Sequence, residues 1–452
     1  MHIPLTPPDF GDLIDDLLKT PDRFTQILQA SISPEPRGTY YHWDKLRHLK
    51  SPPNDFSHKE WWFGIKSARK SLYQPIPHPA IDGSQFVFGE TNGMRRLLHE
   101  IDIHGGGELK SSAQVANPTS RESYLINSLI EEAITSSQLE GAATTRKIAK
   151  EMLREKRKPR DKSERMIVNN YLAMEYIREI ATEDLTPNMI LELQRILTKD
   201  TLDRTAAVGA WRTTDDVYVG DERDATVIFV PPPYQEIPSR MQSICKFAND
   251  PNAKEFLHPV IRATVLHFLL AYDHPFEDGN GRTARVLFYW SMLRQGYWTM
   301  EFVSISRILK TAPAKYARSY LYTETDDNDV TYFILNQLEV ILRAIQELLA
   351  YLKRKSDEHK ELEELVKRSA KLNATLNYRQ MAALNRALKD ADATFTISSH
   401  RGSHNVTYDT ARTDLLALVD YKLFTKAKRG RAFVFSAAPD LRQILRAIGK
   451  NA

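Results

Sequence analysis

His274-Pro275-Phe276-Glu277-Asp278-Gly279-Asn280-Gly281-Arg282-Thr283-Ala284-Arg285 is the stretch on which the reading of this chain turns. Upstream, His258-Pro259 opens a run in which Ile261, Val265, Phe268, Leu269 and Tyr272 recur at helical spacing. Downstream, a second helix is expected from about Arg282 to Gln295, stopped by Gly296. The residues between the two helices suit an anion. Gly279, Asn280 and Gly281 tolerate positive φ, so successive N–H groups can converge on one charge. The helix starting near Arg282 adds its positive N-terminal dipole. Arg282 and Arg285 share one helix face and can grip two phosphates of a polyphosphate. Asp278 is a hard oxygen ligand that suits Mg²⁺ bridging those phosphates. His274, with its near-neutral pKa, can take a proton from an incoming hydroxyl. Phe276 is expected to plug the loop into the core. A calcium-binding EF-hand loop is a poorer fit, because the alternating acids and the terminal Glu are missing.

Working outward, the pattern is helical from about residue 116 to 352. Ser123–Gly141 is periodic and ends on a glycine, Lys162–Ala181 is a second helix, and Thr186-Pro187 opens a third. Asp216–Pro233 alternates, turns over a polar centre and alternates again, which predicts a β-hairpin closed by prolines. After Asn336, Leu338, Ile341, Ile345, Leu348 and Leu352 form a seam of only two heptads, so the helix packs on its own domain rather than as a coiled coil. Residues 353–372 are charged and form a linker helix.

Residues 1–115 carry proline clusters that argue against long helices, dense aromatics and one alternating run, Ser84–Phe88. They read as a small α+β accessory module, with Gly105-Gly106-Gly107 as a boundary loop. Residues 373–452 hold helices at Asn377–Lys389 and Tyr408–Val419, then two strands around Arg429-Gly430. Helices followed by a basic hairpin are the ingredients of a winged helix-turn-helix. The fold class expected is mainly α: a helical core with a β-hairpin, a small N-terminal α+β module and a C-terminal winged helix.

The composition is ordinary for a globular chain: 452 residues, 42% hydrophobic and 27% charged. It excludes wholesale disorder. Apolar runs such as Val265–Ala271 fall far short of the roughly 20 residues of a membrane helix. The N-terminus lacks a basic segment and so does not read as a signal peptide. Cys245 stands alone, so neither an internal disulfide nor a cysteine zinc site is expected. A cytoplasmic protein without a membrane partner is the expectation. Net charge is +4, but residues 371–452 carry 14 basic against 6 acidic side chains. An asymmetry of this kind suggests that the tail meets something anionic.

The 274–285 stretch matches every fixed position of His-x-Phe-x-(Asp/Glu)-Gly-Asn-Gly-Arg-x-x-Arg and so resembles the signature of the Fic family. The helical body, including Gly209-Ala210-Trp211-Arg212, is similar to the Fic fold. The resemblance implies transfer of AMP from ATP to a Ser, Thr or Tyr hydroxyl of a target protein, or of the chain itself, releasing pyrophosphate. His274 would be the general base, Asp278 the Mg²⁺ ligand, Gly279, Asn280 and Gly281 the anion hole, Arg282 the α/β-phosphate clamp and Arg285 the γ-phosphate ligand. The hairpin resembles the family's flap, which holds the target by strand addition, with Val219, Ile228 and Phe229 as its positioning residues. Gly281, where the phosphate-transferring Doc branch has Lys, favours nucleotidyl transfer. Removal of AMP or use of another nucleotide stays open.

Ser136-Ser137-Gln138-Leu139-Glu140-Gly141 resembles the family's inhibitory motif (Ser/Thr)-x-x-x-Glu-(Gly/Asn). It implies inhibition in cis, with Ser136, Glu140 and Gly141 in the helix 123–141 and Glu140 on Arg285. In the tail, Lys426, Lys428, Arg429 and Arg431 crowd the wing, and His400, Arg401, His404 and Arg412 lie on or before the recognition helix. They suit duplex DNA, although Asp409 and Asp414 would repel phosphate. Winged helices also serve for protein docking or as homodimer contacts. A DNA-binding regulator that only senses nucleotide is the rival reading, and a pure sensor has no need of the base His274.

Overall fold

Short helices fitted between prolines build the N-terminal segment. The computed structural model describes residues 2–108, 118–221, 226–250, 256–367, 376–390, 393–429, 432–441 and 443–445. Helices α1 (Phe10–Leu18), α2 (Pro21–Gln29), α3 (Trp43–Leu46) and α4 (His58–Lys70) precede strands β1 (Tyr73–Pro79) and β2 (Gln85–Gly89) and helix α5 (Asn92–Ile101). The prolines thus limit helix length without preventing helices: Pro21 sits in the first turn of α2, where no N–H is needed. Ser57 and Glu60 form a capping box on α4. Trp43, Trp61, Trp62 and Phe63 pack with Leu13, Leu17 and Ile27 in a local core. The triple-glycine run does not form the expected loop; residues 102–108 continue from α5 as a π-helical turn.

The chain then runs through α6 (Pro118–Leu139), α7 (Arg146–Glu155), α8 (Lys162–Glu179) and α9 (Pro187–Thr198). The hairpin is β3 (Val219–Asp221) paired with β4 (Thr226–Phe229), and its turn, 222–225, lies outside the described residues. Next come α10 (Ile237–Asn249), α11 (Pro259–Asp273), α12 (Asn280–Arg294), α13 (Ile305–Leu309), α14 (Pro313–Thr325) and α15 (Thr331–Lys367). Helix α15 runs unbroken to Lys367, well into the segment 353–372 expected to be a separate linker helix, and 368–375 lie outside the described residues.

The C-terminal part contains α16 (Tyr378–Lys389), β5 (Thr394–Thr396), α17 (Ile397–His404), α18 (Tyr408–Asp420), β6 (Phe424–Arg429) and β7 (Ala432–Ala437). Its sheet order is β5-β7-β6, all antiparallel, over a core of Leu384, Phe395, Leu415, Leu418, Phe424 and Phe435. β5 and α17 escaped the sequence reading because both are very short.

Two compact units emerge, each drawn from separate stretches of chain. The first comprises residues 1–103, 172–298 and 305–343, and the second residues 104–171, 299–304 and 344–452. In the first, α11 and α12 are its most closely packed helices, buried on almost every side, with Val265, Leu266, Phe268, Leu269, Leu287, Phe288 and Trp290 fully buried. A helix buried on every side is rigid, and here it carries the 274–285 loop. The N-terminal segment is fastened to this core by buried charge. Lys66 Nζ donates to Asp326 at 2.5 Å, and Tyr40 and Tyr73 hydroxyls donate to Asp329 at 2.5 and 2.8 Å. Burial disfavours the Asp326 carboxylate, but Lys66 and Arg69 outweigh it and hold Asp326 below the usual carboxylate range. In the second unit Ile130, Ala133, Ile134, Ala149, Met152 and Ile167 bind α6, α7 and α8 together.

Candidate active site

Helix α11 ends by turning sharply. His274 adopts the left-handed conformation (φ 48°, ψ 55°), and its N–H closes the helix on Leu270 O at 3.1 Å. Left-handed backbone is unfavourable for a residue with a Cβ by roughly 1–2 kcal/mol, so the surroundings must hold it. The imidazole Nδ1 lies 3.2 Å from Ala271 O. A carbonyl can only accept, so this contact requires Nδ1–H and leaves Nε2 as the basic nitrogen. Phe276 is fully buried and stacks on Trp211 at 5.0 Å, which seats the loop as its sequence position suggests.

Helix α12 begins earlier than expected, at Asn280. Of the three anion-hole residues only Gly279 has positive φ (89°); Asn280 and Gly281 are already helical. The N–H groups of that first turn have no intrahelical acceptor, so what the segment offers an anion is a helix N-terminus rather than an extended nest. The Asn280 side chain is spent on the loop itself, accepting from Phe276 N at 2.9 Å and donating to Phe276 O at 2.8 Å. Asp278 stands half-exposed at the rim, its Oδ1 3.2 Å from Arg282 Nη2. Arg282 is fully buried and also donates to Leu197 O at 3.0 Å. Its Nε is buried without a hydrogen-bond partner, a donor left for an incoming acceptor. Arg285, one turn on, is buried close enough to His267 and Tyr320 to bear on their ionisation. Burial, with the Arg285 charge added, pushes His267 down to about 3.

Two supporting residues were given no role by the sequence reading, which named Arg212 only within the run Gly209–Arg212. Gln194 on α9 donates to Asp278 O at 3.2 Å and to Ala207 O, and accepts from Gly209 N. It could have been found as the polar residue on a face formed by Ile190, Leu193 and Leu197. Arg212 is buried and donates from Nε to His274 O at 3.0 Å, from Nη1 to Thr214 O at 3.0 Å, and from Nη2 to Pro232 O. Thr214 and Pro232 are the two feet of the hairpin, so a single guanidinium ties hairpin and loop together. In the hairpin, Val219 pairs with Phe229 and Gly220 with Val227, so Ile228 is the bulged residue. The Phe229 ring rests on Tyr272 of α11 at 4.8 Å, anchoring the strand to the core.

Among the described residues no cluster of three or more His, Cys, Asp or Glu is placed to hold a metal. Asp278 is a half-exposed carboxylate beside the N-terminus of α12. That donor set fits Mg²⁺, which keeps waters and phosphate oxygens as most of its ligands.

Residues 184–292 match the family model described as Fic/DOC family. The chain carries a Fic domain. Over 118 residues the chain is 34% identical to the protein adenylyltransferase Fic of Nematostella vectensis, covering 26% of this chain and 25% of that protein. Over 129 residues it is 34% identical to the Drosophila melanogaster protein of the same name, covering 28% and 24%. The match thus spans about a quarter of the length of these relatives. A Fic family protein from Desulfovibrio desulfuricans G20 has a similar fold, with a TM-score of 0.50 at 17% identity over 81% of this chain and 99% of that one.

Within the matched residues, His274, Asp278 and Gly279 lie on the connection between α11 and α12, and Asn280, Gly281, Arg282 and Arg285 on the first two turns of α12. The second unit holds the other motif. Helix α6 ends at Leu139, short of the expected Gly141, with Ser136 buried, Glu140 exposed in the turn and Gly141 at φ 88°. The C-terminal residues divide differently from the expectation. His400 is buried with its Nε2 3.1 Å from Asp414, whose carboxylate also accepts from Arg379 and Asn377. Burial raises the Asp414 pKa, but these hydrogen bonds outweigh it and hold the group below the usual carboxylate range. His400 is therefore unavailable to phosphate, and Asp414 does not present a repelling charge. Burial pushes His404 down to about 3, so it is neutral at physiological pH. Arg412, Lys422, Lys426 and Lys428 are exposed. Nothing is described of the Arg429 side chain, and Arg431 lies outside the described residues. No helix among the described residues is long and apolar enough to cross a membrane.

Proposed function

We propose that the chain is a protein adenylyltransferase, transferring AMP from ATP to a Ser, Thr or Tyr hydroxyl of a target protein. The observation that carries the reading is the hydrogen bond of His274 Nδ1 to Ala271 O, which dedicates Nε2 to taking a proton, one turn from a helix N-terminus lined by buried arginines. In the reaction, Nε2 takes the target hydroxyl proton as its oxygen attacks the α-phosphorus. The bond from that phosphorus to the bridging oxygen breaks, and pyrophosphate leaves. The first-turn N–H groups of α12 and the unpartnered Arg282 Nε receive phosphate oxygens. Arg285 meets the γ-phosphate. Asp278 would hold Mg²⁺, which when bound would supply charge neutralisation for the phosphates. The β3–β4 hairpin takes the target segment as an added strand. Glu140 inhibits in cis by pairing with Arg285, as the motif at 136–141 implies. The relatives named protein adenylyltransferase support this reading over the matched residues.

Incubation with α-labelled and, separately, γ-labelled ATP tests it. Covalent label from the α-position alone is expected. Label from the γ-position alone would make the chain a phosphotransferase, and no label from either, with nucleotide bound, would make it a sensor.

We infer also that the C-terminal elements form a winged helix that contacts duplex DNA through α18 and strand β6. The order α16-β5-α17-α18-β6-β7 and the exposed Arg412, Lys422, Lys426 and Lys428 support it. Binding should weaken steeply with salt, and Lys426/Lys428→Ala should flatten the slope by about 2. Absence of DNA retention by the full chain at low salt would reassign these elements to protein docking.

A further inference from the structure

Directly before the loop histidine lies a fully buried carboxylate, Asp273, the last residue of α11. A buried anion at the negative end of a helix is doubly unfavourable unless cations meet it. Arg240 does so. Arg240 on α10 donates from Nη1 to Asp273 Oδ1 at 3.0 Å, and His78 on β1 lies alongside, its Nε2 2.9 Å from Oδ2, an oxygen with no hydrogen-bond partner, and 3.4 Å from Arg240 Nη1. Arg240 and His78 are themselves almost wholly buried. The strand that supplies His78 supplies more. Arg240 Nη1 donates to Pro79 O at 2.8 Å, His78 Nδ1 lies 3.2 Å from Ser243 Oγ, and that hydroxyl donates to Pro77 O at 3.0 Å. One residue past the cluster, Ile81 N donates to the Tyr272 hydroxyl at 3.2 Å, and Phe86 of β2 meets the Tyr272 ring edge-on at 4.9 Å.

We propose that the N-terminal hairpin β1–β2 belongs to the catalytic apparatus: with Arg240 it holds Asp273, and Asp273 positions the base His274. The inference rests on the adenylyltransferase reading for its activity test. Its physical basis is the last turn of α11. That turn contains Ala271, whose carbonyl orients the imidazole, and Asp273, whose side chain is the anchor. His274 follows in a backbone conformation that a Cβ disfavours. Arg212 grips the His274 carbonyl from the hairpin side of the loop, and the Asp273–Arg240–His78 cluster grips the preceding residue from within the core. Released at Asp273, the turn can relax, the distance to Ala271 O is no longer fixed, and either ring nitrogen can carry the proton. Asp273, Arg240 and His78 are thus positioning residues that never touch substrate, and the N-terminal segment gains a function beyond covering the core.

The test uses the full chain with Asp273→Asn, Arg240→Met, both together, and His78→Gln, each checked for an unchanged melting transition. The first readout is AMP transfer in the Glu140→Gly background. kcat should fall about 10- to 100-fold for Asp273→Asn and for Arg240→Met, since small misplacement of a reacting group costs on this scale. KM for ATP should stay within about twofold. The double variant should be no worse than its worse parent, as for groups acting through one contact. His78→Gln, which keeps a polar group toward the carboxylate, should lose less than Asp273→Asn. The second readout needs no turnover: nitrogen NMR of ¹⁵N-histidine-labelled chain, with the His274 signals identified by their loss in His274→Ala. The parent should hold the Nδ1–H tautomer, and Asp273→Asn should give a mixture of the two. Folded variants with parental kcat and an unchanged His274 tautomer would reduce the cluster to a joint between segments. A parent that transfers no AMP would sink the adenylyltransferase reading, and the tautomer measurement would still decide the positioning claim.

Discussion

His274 combines a φ of 48° with a side chain tied to Ala271 O at 3.2 Å, so backbone conformation and proton chemistry are fixed by the same few contacts. A positioned general base is worth roughly 10²–10⁴-fold. His274→Ala should therefore abolish detectable transfer while ATP binding, measured by calorimetry, changes by no more than about threefold. Equal labelling by parent and variant would remove the base from the mechanism. Glu324 on α14 is a second residue whose environment decides its behaviour. Burial pushes its carboxyl up to about 8 from an ordinary value of 4.5. A raised carboxyl pKa means that the folded chain holds a proton that the unfolded chain has released. Stability should therefore fall as pH rises from about 4.5 to about 8, by linkage. Glu324→Gln should flatten this fall and raise the melting temperature more at pH 8 than at pH 5. An equal shift at both values would mean that the carboxyl is ionised in the folded state.

Between elements, close approach is the controlling fact. Helix α17 packs on α7 through Gly402, where an added Cβ would stand 1.8 Å from the carbonyl oxygen of Arg154. A backbone atom cannot swing aside as a side chain can, so one helix must move. Overpacking of this kind costs about 1–3 kcal/mol. Gly402→Ala should lower the melting temperature of the full chain, whereas Gly83→Ser on the β1–β2 turn meets nothing within 4 Å and should be limited by its positive φ alone. A Gly402→Ala chain as stable as the parent would show that α17 and α7 can separate freely. Nearer the site, the hairpin is held at its feet by Arg212 and along β4 by Phe229 on Tyr272. Its pairing is irregular, with a bulge at Ile228, and bulges re-aim a strand edge.

On the scale of the whole chain, two motifs about 145 residues apart are expected to act together. If Glu140 engages Arg285, the guanidinium cannot also hold the γ-phosphate. A hydrogen bond between charged groups contributes roughly 1.5–3 kcal/mol. Each 1.4 kcal/mol changes occupancy by about tenfold. Glu140→Gly should then raise AMP labelling about 10- to 100-fold, and adding His274→Ala should return it to nothing. Arg285→Ala should lower activity in the Glu140→Gly background. Unchanged labelling in Glu140→Gly would leave residues 136–141 as a capped helix end. Acid should unfold the chain for a separate reason. Burial holds His42 down to about 4 and His267 to about 3, below the ordinary 6.5. The unfolded chain takes up these protons first, so stability is lost as pH falls from about 6.5 toward 3. His267→Gln should shallow that acid limb of the denaturation curve.

The sequence alone determined the helical character, the 274–285 segment and the boundaries of the elements with strong local signals, because these depend on local order: apolar spacing, prolines at helix starts and glycines at helix ends. Pro187 and Pro259 opened helices where expected, and the hairpin formed between residues 216 and 233. The loop was legible because its chemistry is contiguous. What only the tertiary structure decided depends on residues distant in sequence. His78, Arg240 and Asp273 carry no shared motif, and nothing in their spacing foretells one buried cluster. The N-terminal prolines suggested irregular chain, yet helices as short as α1 and α2 fit between them because packing on Trp62 and Phe63 stabilises what propensity alone would not. His400 and Asp414 looked like a surface cation and a surface anion until burial made them partners. Local pattern fixes which backbone a segment prefers, whereas burial and pairing are properties of the folded chain, and they set the charge and position of every group that acts.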